Sequence, residues 1–248
     1  MLGIIGGSGL TQLTSLEVSR REVVRTPFGE PSCAVTFGEL KGAEVAFIAR
    51  HGYGHTIPPH AVNYRANIWA LRAVGVDRVV SVASVGGIRS DFRPGTIAVP
   101  DQIIDYTWGR KHTYFDTTDQ PVTHADFTHP YCEELRAELL RAAADVQLPV
   151  IARGVYAATQ GPRLESAAEI SRLERDGADM VGMTGMPEAA LARELGLCYA
   201  AVAVVANWAA GRGDSKEKIQ LDAIRAVLGG VMAKVRLLLE KLVASHGR

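Results

Sequence analysis

Between Cys198 and Ala206 the chain reads CYAAVAVVA, an apolar run of strand length, and it turns polar abruptly at Asn207. A strand that is apolar at successive positions, rather than at every second one, is buried on both faces and needs layers above and below it. That requirement points to an α/β architecture. In open α/β sheets ligands bind beyond the carboxyl ends of the strands. The Asn207 amide offers a donor and an acceptor side by side there, a pattern suited to one edge of a base. A plain turn or capping asparagine has the same local signature, so the other strand ends must decide.

Composition limits the alternatives. With 248 residues, 47% hydrophobic and 22% charged, the chain suits a single α/β domain spanning residues 1–248. Its 27 basic and 27 acidic residues leave no net field to draw it to nucleic acid or a lipid surface, so neither is expected as a partner. A small, local phosphate site remains compatible with that balance. Cys33, Cys132 and Cys198 are odd in number, widely spaced and without a CxxC pair. That pattern argues against a disulfide framework or a zinc site, and for three small core side chains in a reducing compartment. The first residues, MLGIIGGSGL, lack a basic n-region, and no stretch reaches the roughly 18 apolar residues of a membrane span. The expected location is the cytoplasm.

In chain order, Leu2–Ile5 reads as a buried strand running into Gly6-Gly7-Ser8-Gly9, where bare N–H groups and one hydroxyl can face an anion. The dinucleotide fingerprint, the P-loop and the nucleophile elbow each fail there by one residue or more. Segments 18–24, 34–40 and 43–49 read as antiparallel hairpins beside the main sheet. The last ends in Arg50-His51, a guanidinium and an imidazole suited to holding phosphate. His51, His55 and His60 also suggest a metal, but they lie in a Pro- and Gly-rich loop without carboxylate neighbours, so no metal is expected. A helix over 60–74 leads to a strand over 79–85, which makes a right-handed βαβ unit and a largely parallel sheet. Residues 106–131 form a long polar and aromatic loop. Helices over 133–146, 165–176, 187–196 and 218–245 alternate with strands over 150–158 and 179–183, the second ending at Thr184 beside a helix start.

Strand ends thus carry Ser8, Arg50 with His51, Ser84 and Thr184, which together are donors fit to wrap an orthophosphate, and another carries Asn207. No serine–histidine–aspartate order, carboxylate pair or cofactor fingerprint competes with them. The residues alone therefore read as an enzyme in which free phosphate meets a substrate bearing a polar heterocycle.

The segments GIIGGSGL, TPFGEPS, ARHGYGHTIPP, VNYRANIWAL, TQGPRLES, ADMVGMTGMPEAALARELGLCYA and the Asn207 strand resemble the 5'-methylthioadenosine phosphorylase branch of the trimeric purine nucleoside phosphorylases over nearly the whole chain. The resemblance implies a mixed, partly barrel-like sheet flanked by helices, a homotrimer, and phosphorolysis of an N-glycosidic bond with orthophosphate as co-substrate and no cofactor. It sets phosphate against Ser8, Arg50, His51, the Ser84 backbone and Thr184, with Met183 beneath the ribose. It also puts His55, Leu221 and Ile224 around the 5' substituent, with His124 reaching a neighbouring subunit's site.

One departure is informative. Relatives that cleave methylthioadenosine carry Asp-x-Asp where this chain has Asn207 and Ala209. An asparagine donates to O6 and accepts from N7–H of a 6-oxopurine, while the 5' side keeps its apolar pair, so the expected substrate is 5'-methylthioinosine. Inosine or guanosine, and methylthioadenosine, are the alternative substrates. A hydrolytic nucleosidase and a non-catalytic binding protein are the rival readings. Leu164 and Gly185 also stand where the family often has larger or hydroxylated residues.

Overall fold

The computed structural model describes residues 1–119 and 121–246. Gln120 of the expected long loop and residues 247–248 of the expected domain span lie outside the described residues. The apolar run forms β10 (Cys198–Trp208), whose side chains alternate between two cores. Tyr199, Ala201, Ala203 and Val205 join one cluster, and Ala200, Val202, Val204 and Ala206 the other. The unbroken hydrophobicity of the sequence is thus the sum of two period-two patterns, one for each face.

Beside β10 lies β5 (Arg78–Gly87), parallel to it from the pair Cys198–Arg78 onward. The register slips between Val205 and Asn207, so Asn207 pairs with Gly86 across a bulge, and the strand ends at Trp208, one residue later than expected. Bulges re-aim side chains next to sites, and this one presents the amide at the open end of the sheet.

On the far side of β5, β1 (Leu2–Gly6) runs parallel to both β5 and β4 (Ala43–Ala49). β4 continues antiparallel into β3 (Val35–Leu40), and β3 into the exposed edge strand β2 (Glu17–Glu22). The hairpins are therefore part of one sheet, which has ten strands among the described residues, and they do not stand beside it as expected. The sheet is also mixed rather than largely parallel. β6 (Ile97–Ala98) pairs antiparallel with β10, and β9 (Met180–Gly182) antiparallel with the end of β5, while β7 (Gln102–Asp105), β8 (Val155–Ala158) and β9 are mutually parallel. The bridge from Ala98 to Ile151, just before β8, brings the β6 end of the sheet back to the β8 end, which produces the partly barrel-like shape.

Helices α1 (Tyr64–Ala73), α2 (Glu133–Asp145), α3 (Ala167–Arg175), α4 (Glu188–Glu194) and α5 (Leu221–His246) flank this sheet. Of these, α1 and α3 start later than the sequence suggests because their caps lie further on. The Asn63 side chain accepts from the Ala66 N–H, and Ser166 forms a reciprocal capping box with Glu169. The second shift leaves Glu165 in the loop after β8, outside the helix expected to begin with it. No helix among the described residues is long and apolar enough to cross a membrane.

Two of the three cysteines are bonded to each other, contrary to the expectation of three small core side chains. Cys132 and Cys198, at a sequence separation of 66, form a disulfide with Cα atoms 5.1 Å apart, and Cys33 is free. Spacing along the chain carried no sign of this. The start of α2 folds onto the start of β10, where the Cys132 N–H donates to the Tyr199 carbonyl at 2.8 Å, and that contact brings the two sulfurs together. The case for a reducing compartment loses its cysteine support accordingly.

Candidate active site

The loops after β1, β4, β5, β8, β9 and β10, with the approach to α5, enclose a cavity of about 380 Å³. Ser8, Arg50, His51, Ser84, Thr184 and Asn207 all line it. Met183, His55 and Ile224 do so as well. Two expected residues are absent from the wall. Leu221, the first residue of α5, is 61% exposed, and His124 lies exposed on the segment between β7 and α2. Since α5 begins at Leu221 and not at Lys218, Ile219 lies ahead of the helix and supplies the apolar contact expected of Leu221.

Gly6 and Gly7 make the first wall possible. A Cβ at Gly7 would lie 2.5 Å from the Val82 carbonyl oxygen and 2.8 Å from Arg50 Nη1, so only glycine lets the β1 loop approach β5 this closely. Next to it, Ser8 Oγ lies 3.3 Å from His55 Nε2.

Arg50 differs from the open phosphate fork that the sequence suggests. Its Nε and Nη2 bond Glu188 at 2.7 and 3.0 Å, Nη2 also reaches Ser81 Oγ at 2.5 Å, and Nη1 donates to the Val82 carbonyl at 3.0 Å. A guanidinium has five N–H groups, so one Nη1 hydrogen is left without a partner among the described residues. Glu188 in turn accepts from Ser81 Oγ at 2.7 Å and from the Tyr199 hydroxyl at 2.8 Å. Burial alone would raise the Glu188 carboxyl, but the Arg50 charge and these donors outweigh it and hold the group below its ordinary range.

His51 and His55 are both held towards the neutral form in this setting. His51 is pushed down to about 4, first by burial and then by the Arg50 charge. Its Nδ1 lies 2.8 Å from the Ile57 carbonyl, which places the proton on Nδ1 and a lone pair on Nε2. His55 is lowered for the same reasons in the same order. Around Ser8 the cavity is thus lined by imidazoles held towards the neutral form, hydroxyls and one N–H of a compensated guanidinium, and the polarity there comes from dipoles more than from net charge. Across from them, Thr184 is held by its own N–H, which donates to the Tyr156 hydroxyl at 3.4 Å.

At the end of β10, Asn207 Nδ2 donates to the Trp208 carbonyl at 2.6 Å. Ala209 is 2% exposed and packs with Ile88 and Val181. Glu165, which the sequence reading missed, also lines the cavity, and its Oε1 accepts from Thr159 Oγ1 at 2.6 Å. Glu188 was missed too. Glu165 could have been found by reading Ser166-x-x-Glu169 as the capping box, which moves it from helix to loop. For Glu188 the sequence carries no such signal.

Residues 1–244 match the phosphorylase superfamily. A protein of Xanthomonas campestris named probable S-methyl-5'-thioinosine phosphorylase is 54% identical, over 91% of this chain and 90% of its own. A 6-oxopurine nucleoside phosphorylase of Pyrococcus furiosus is 49% identical over 87% and 82%. Among solved structures, methylthioadenosine phosphorylase from Schistosoma mansoni in complex with adenine superposes with a TM-score of 0.95 at 32% identity, covering 99% of this chain and 91% of that one. The chain belongs to the phosphorylase superfamily.

Proposed function

We propose that this protein is a purine nucleoside phosphorylase that converts 5'-methylthioinosine and orthophosphate to hypoxanthine and 5-methylthioribose 1-phosphate, with neither metal nor organic cofactor. The observation that carries this reading is the company Asn207 keeps: Glu165 and the small Ala209 line the same cavity as the apolar pair Ile219 and Ile224. A 6-oxopurine carries a hydrogen on N1, which a carboxylate accepts, whereas adenine has a lone pair there, which a carboxylate repels. Asn207 then donates to O6, and its amide oxygen accepts the N7–H formed as the departing base acquires its proton, while Ala209 offers no acid to protonate an aminopurine. The relatives named for methylthioinosine and for 6-oxopurine nucleosides agree with this selection.

In the reaction a phosphate oxygen attacks C1' as the bond from C1' to N9 breaks through an oxocarbenium-like state. The leaving electrons spread onto O6 and the base ring. The proton carried in on hydrogen phosphate balances the one the departing base acquires. Ser8, Thr184 and the free Arg50 N–H hold the dianion, and the chain's contribution is positioning and fixed dipoles. We assign the enzyme to the cytoplasm as a homotrimer. The exposed Trp108, Phe115 and Val122 on the segment that carries His124 support such an assembly, with His124 facing a neighbour's cavity.

A second reading, an inosine or guanosine phosphorylase, draws on the Ser8–His55 pair, which could receive a 5'-hydroxyl. Values of kcat/KM for 5'-methylthioinosine, 5'-methylthioadenosine and inosine, each with and without phosphate, separate these cases. A phosphate-dependent preference for methylthioinosine is expected. A preference for inosine would transfer the function to the second reading, and cleavage without phosphate would make the protein a nucleosidase.

A further inference from the structure

Arg110 lies on the long segment after β7 and does not line the cavity, yet its guanidinium touches three of the cavity's walls. Nη1 donates to the Met183 and Met186 carbonyls at 2.8 and 2.6 Å, which bracket Thr184. Nη2 donates to the Thr159 and Gln160 carbonyls at 3.2 and 2.9 Å, and Nε to Gln160 Oε1 at 3.1 Å, at the root of the loop that carries Leu164 and Glu165. The third wall is reached through Tyr64. Nη1 lies 3.3 Å from the Tyr64 hydroxyl, and the guanidinium sits over its ring, 5.4 Å from the centroid. Tyr64 donates in turn to the Pro59 carbonyl at 2.9 Å, and Pro59 lines the cavity.

These walls meet at Gly161, whose φ is +59° and where an added Cβ would collide with Met183 Sδ and crowd Pro59. Resting on the phosphorolysis reading above, we infer that Arg110 is a positioning residue. It fixes the spacing between the wall that carries the base contacts and the wall that carries Met183 and Thr184, and so sets the alignment of phosphate with C1'. Four backbone carbonyls converging on one cation form a clamp that lysine, with a single ammonium, cannot reproduce. The signature of lost alignment differs from that of a lost contact. Each substrate still binds to its own wall, while the reacting atoms no longer line up, so the effect falls on kcat rather than on either KM.

The test is steady-state kinetics of Arg110→Ala and Arg110→Lys beside the wild type, with thermal melts, and with guanidinium added to the alanine variant. Arg110→Ala is expected to lose kcat on the order of 10- to 100-fold, with both KM values within about threefold of wild type. Added guanidinium, filling the vacated clamp, should restore about tenfold of that loss or more, and should restore nothing in Arg110→Lys. If the alanine variant does not fold, Arg110→Lys alone carries the test, with kcat down about tenfold at unchanged KM values. A kcat within twofold of wild type in the folded variant overturns the inference. So does a loss confined to one KM, or a loss of kcat that guanidinium does not restore in the alanine variant. Absence of phosphate-dependent turnover in the wild type would remove the functional reading and this inference together. Intact wild-type turnover with an insensitive Arg110 would remove only the latter.

Discussion

Arg50 and Glu188, 138 residues apart in the chain, form a fully buried two-point ion pair with N–O distances of 2.7 and 3.0 Å. It joins the end of β4 to the first residue of α4 beneath the cavity floor. The pair makes Arg50 a structural cation as well as a candidate phosphate contact. Removing one partner leaves the other charge buried without compensation, at a cost of about 3–5 kcal/mol. Glu188→Gln should therefore lower unfolding stability by an amount of that order in urea titration. The double replacement Arg50→Met with Glu188→Leu should be distinctly less damaging than either Arg50→Met or Glu188→Leu alone, while still raising the KM for phosphate. An unchanged phosphate KM in the double variant would take Arg50 out of the binding site.

On the proposed function, the end of β10 selects the base. Asn207→Asp with Ala209→Asp should raise the ratio of kcat/KM for methylthioadenosine over methylthioinosine on the order of 100-fold. Because Ala209 is 2% exposed among apolar neighbours, the new carboxylate also costs stability, and a lower melting temperature should accompany the switch. A variant that keeps its 6-oxopurine preference would show that Asn207 does not read the base.

At the other end of the cavity the structure separates two residues that the sequence presents as a pair. Ile224 lines the pocket, and Leu221 points to solvent. Ile224→Ser should reduce preference for methylthioinosine over inosine by roughly 10- to 200-fold, the range for apolar groups in such pockets. Leu221→Ser should change it less than about twofold. A larger effect at Leu221 than at Ile224, read from the same kcat/KM ratios, would reverse the assignment.

His51 makes stability depend on acid. Its folded value of about 4 lies below the ordinary 6.5, so as pH falls the unfolded chain takes up the proton first. The stability linked to His51 is present above pH 6.5 and is lost as pH falls towards 4. At about 1.4 kcal/mol per pH unit, a shift from 6.5 to about 4 amounts to at most about 3–4 kcal/mol. His51→Asn, whose amide can keep the donor to the Ile57 carbonyl, should flatten the fall in melting temperature between pH 6.5 and 4. An equally steep fall in the variant would mean that other groups carry the acid sensitivity.

Much of the architecture is legible in the chain itself. Apolar runs that stop at Gly6, Gly86 and Asn207 mark strand ends, because a strand buried on both faces has no other use for an abrupt polar or glycine residue. The polar groups at those ends, Ser8, Arg50, His51, Ser84, Thr184 and Asn207, all reach one cavity. Local sequence decides these features, since periodicity, caps and glycine act over a few residues. What is paired with what is decided at long range, and only the tertiary structure shows it. Cys132 meets Cys198 across 66 residues because α2 folds onto β10. Glu188 finds Arg50, and Arg110 finds the carbonyls of two loops at 49 to 76 residues' distance. Leu221 and Ile224 part company once the helix start is set. A side chain's type states which contacts it can make, but burial, and the partners that burial forces on it, determine which of them it does make.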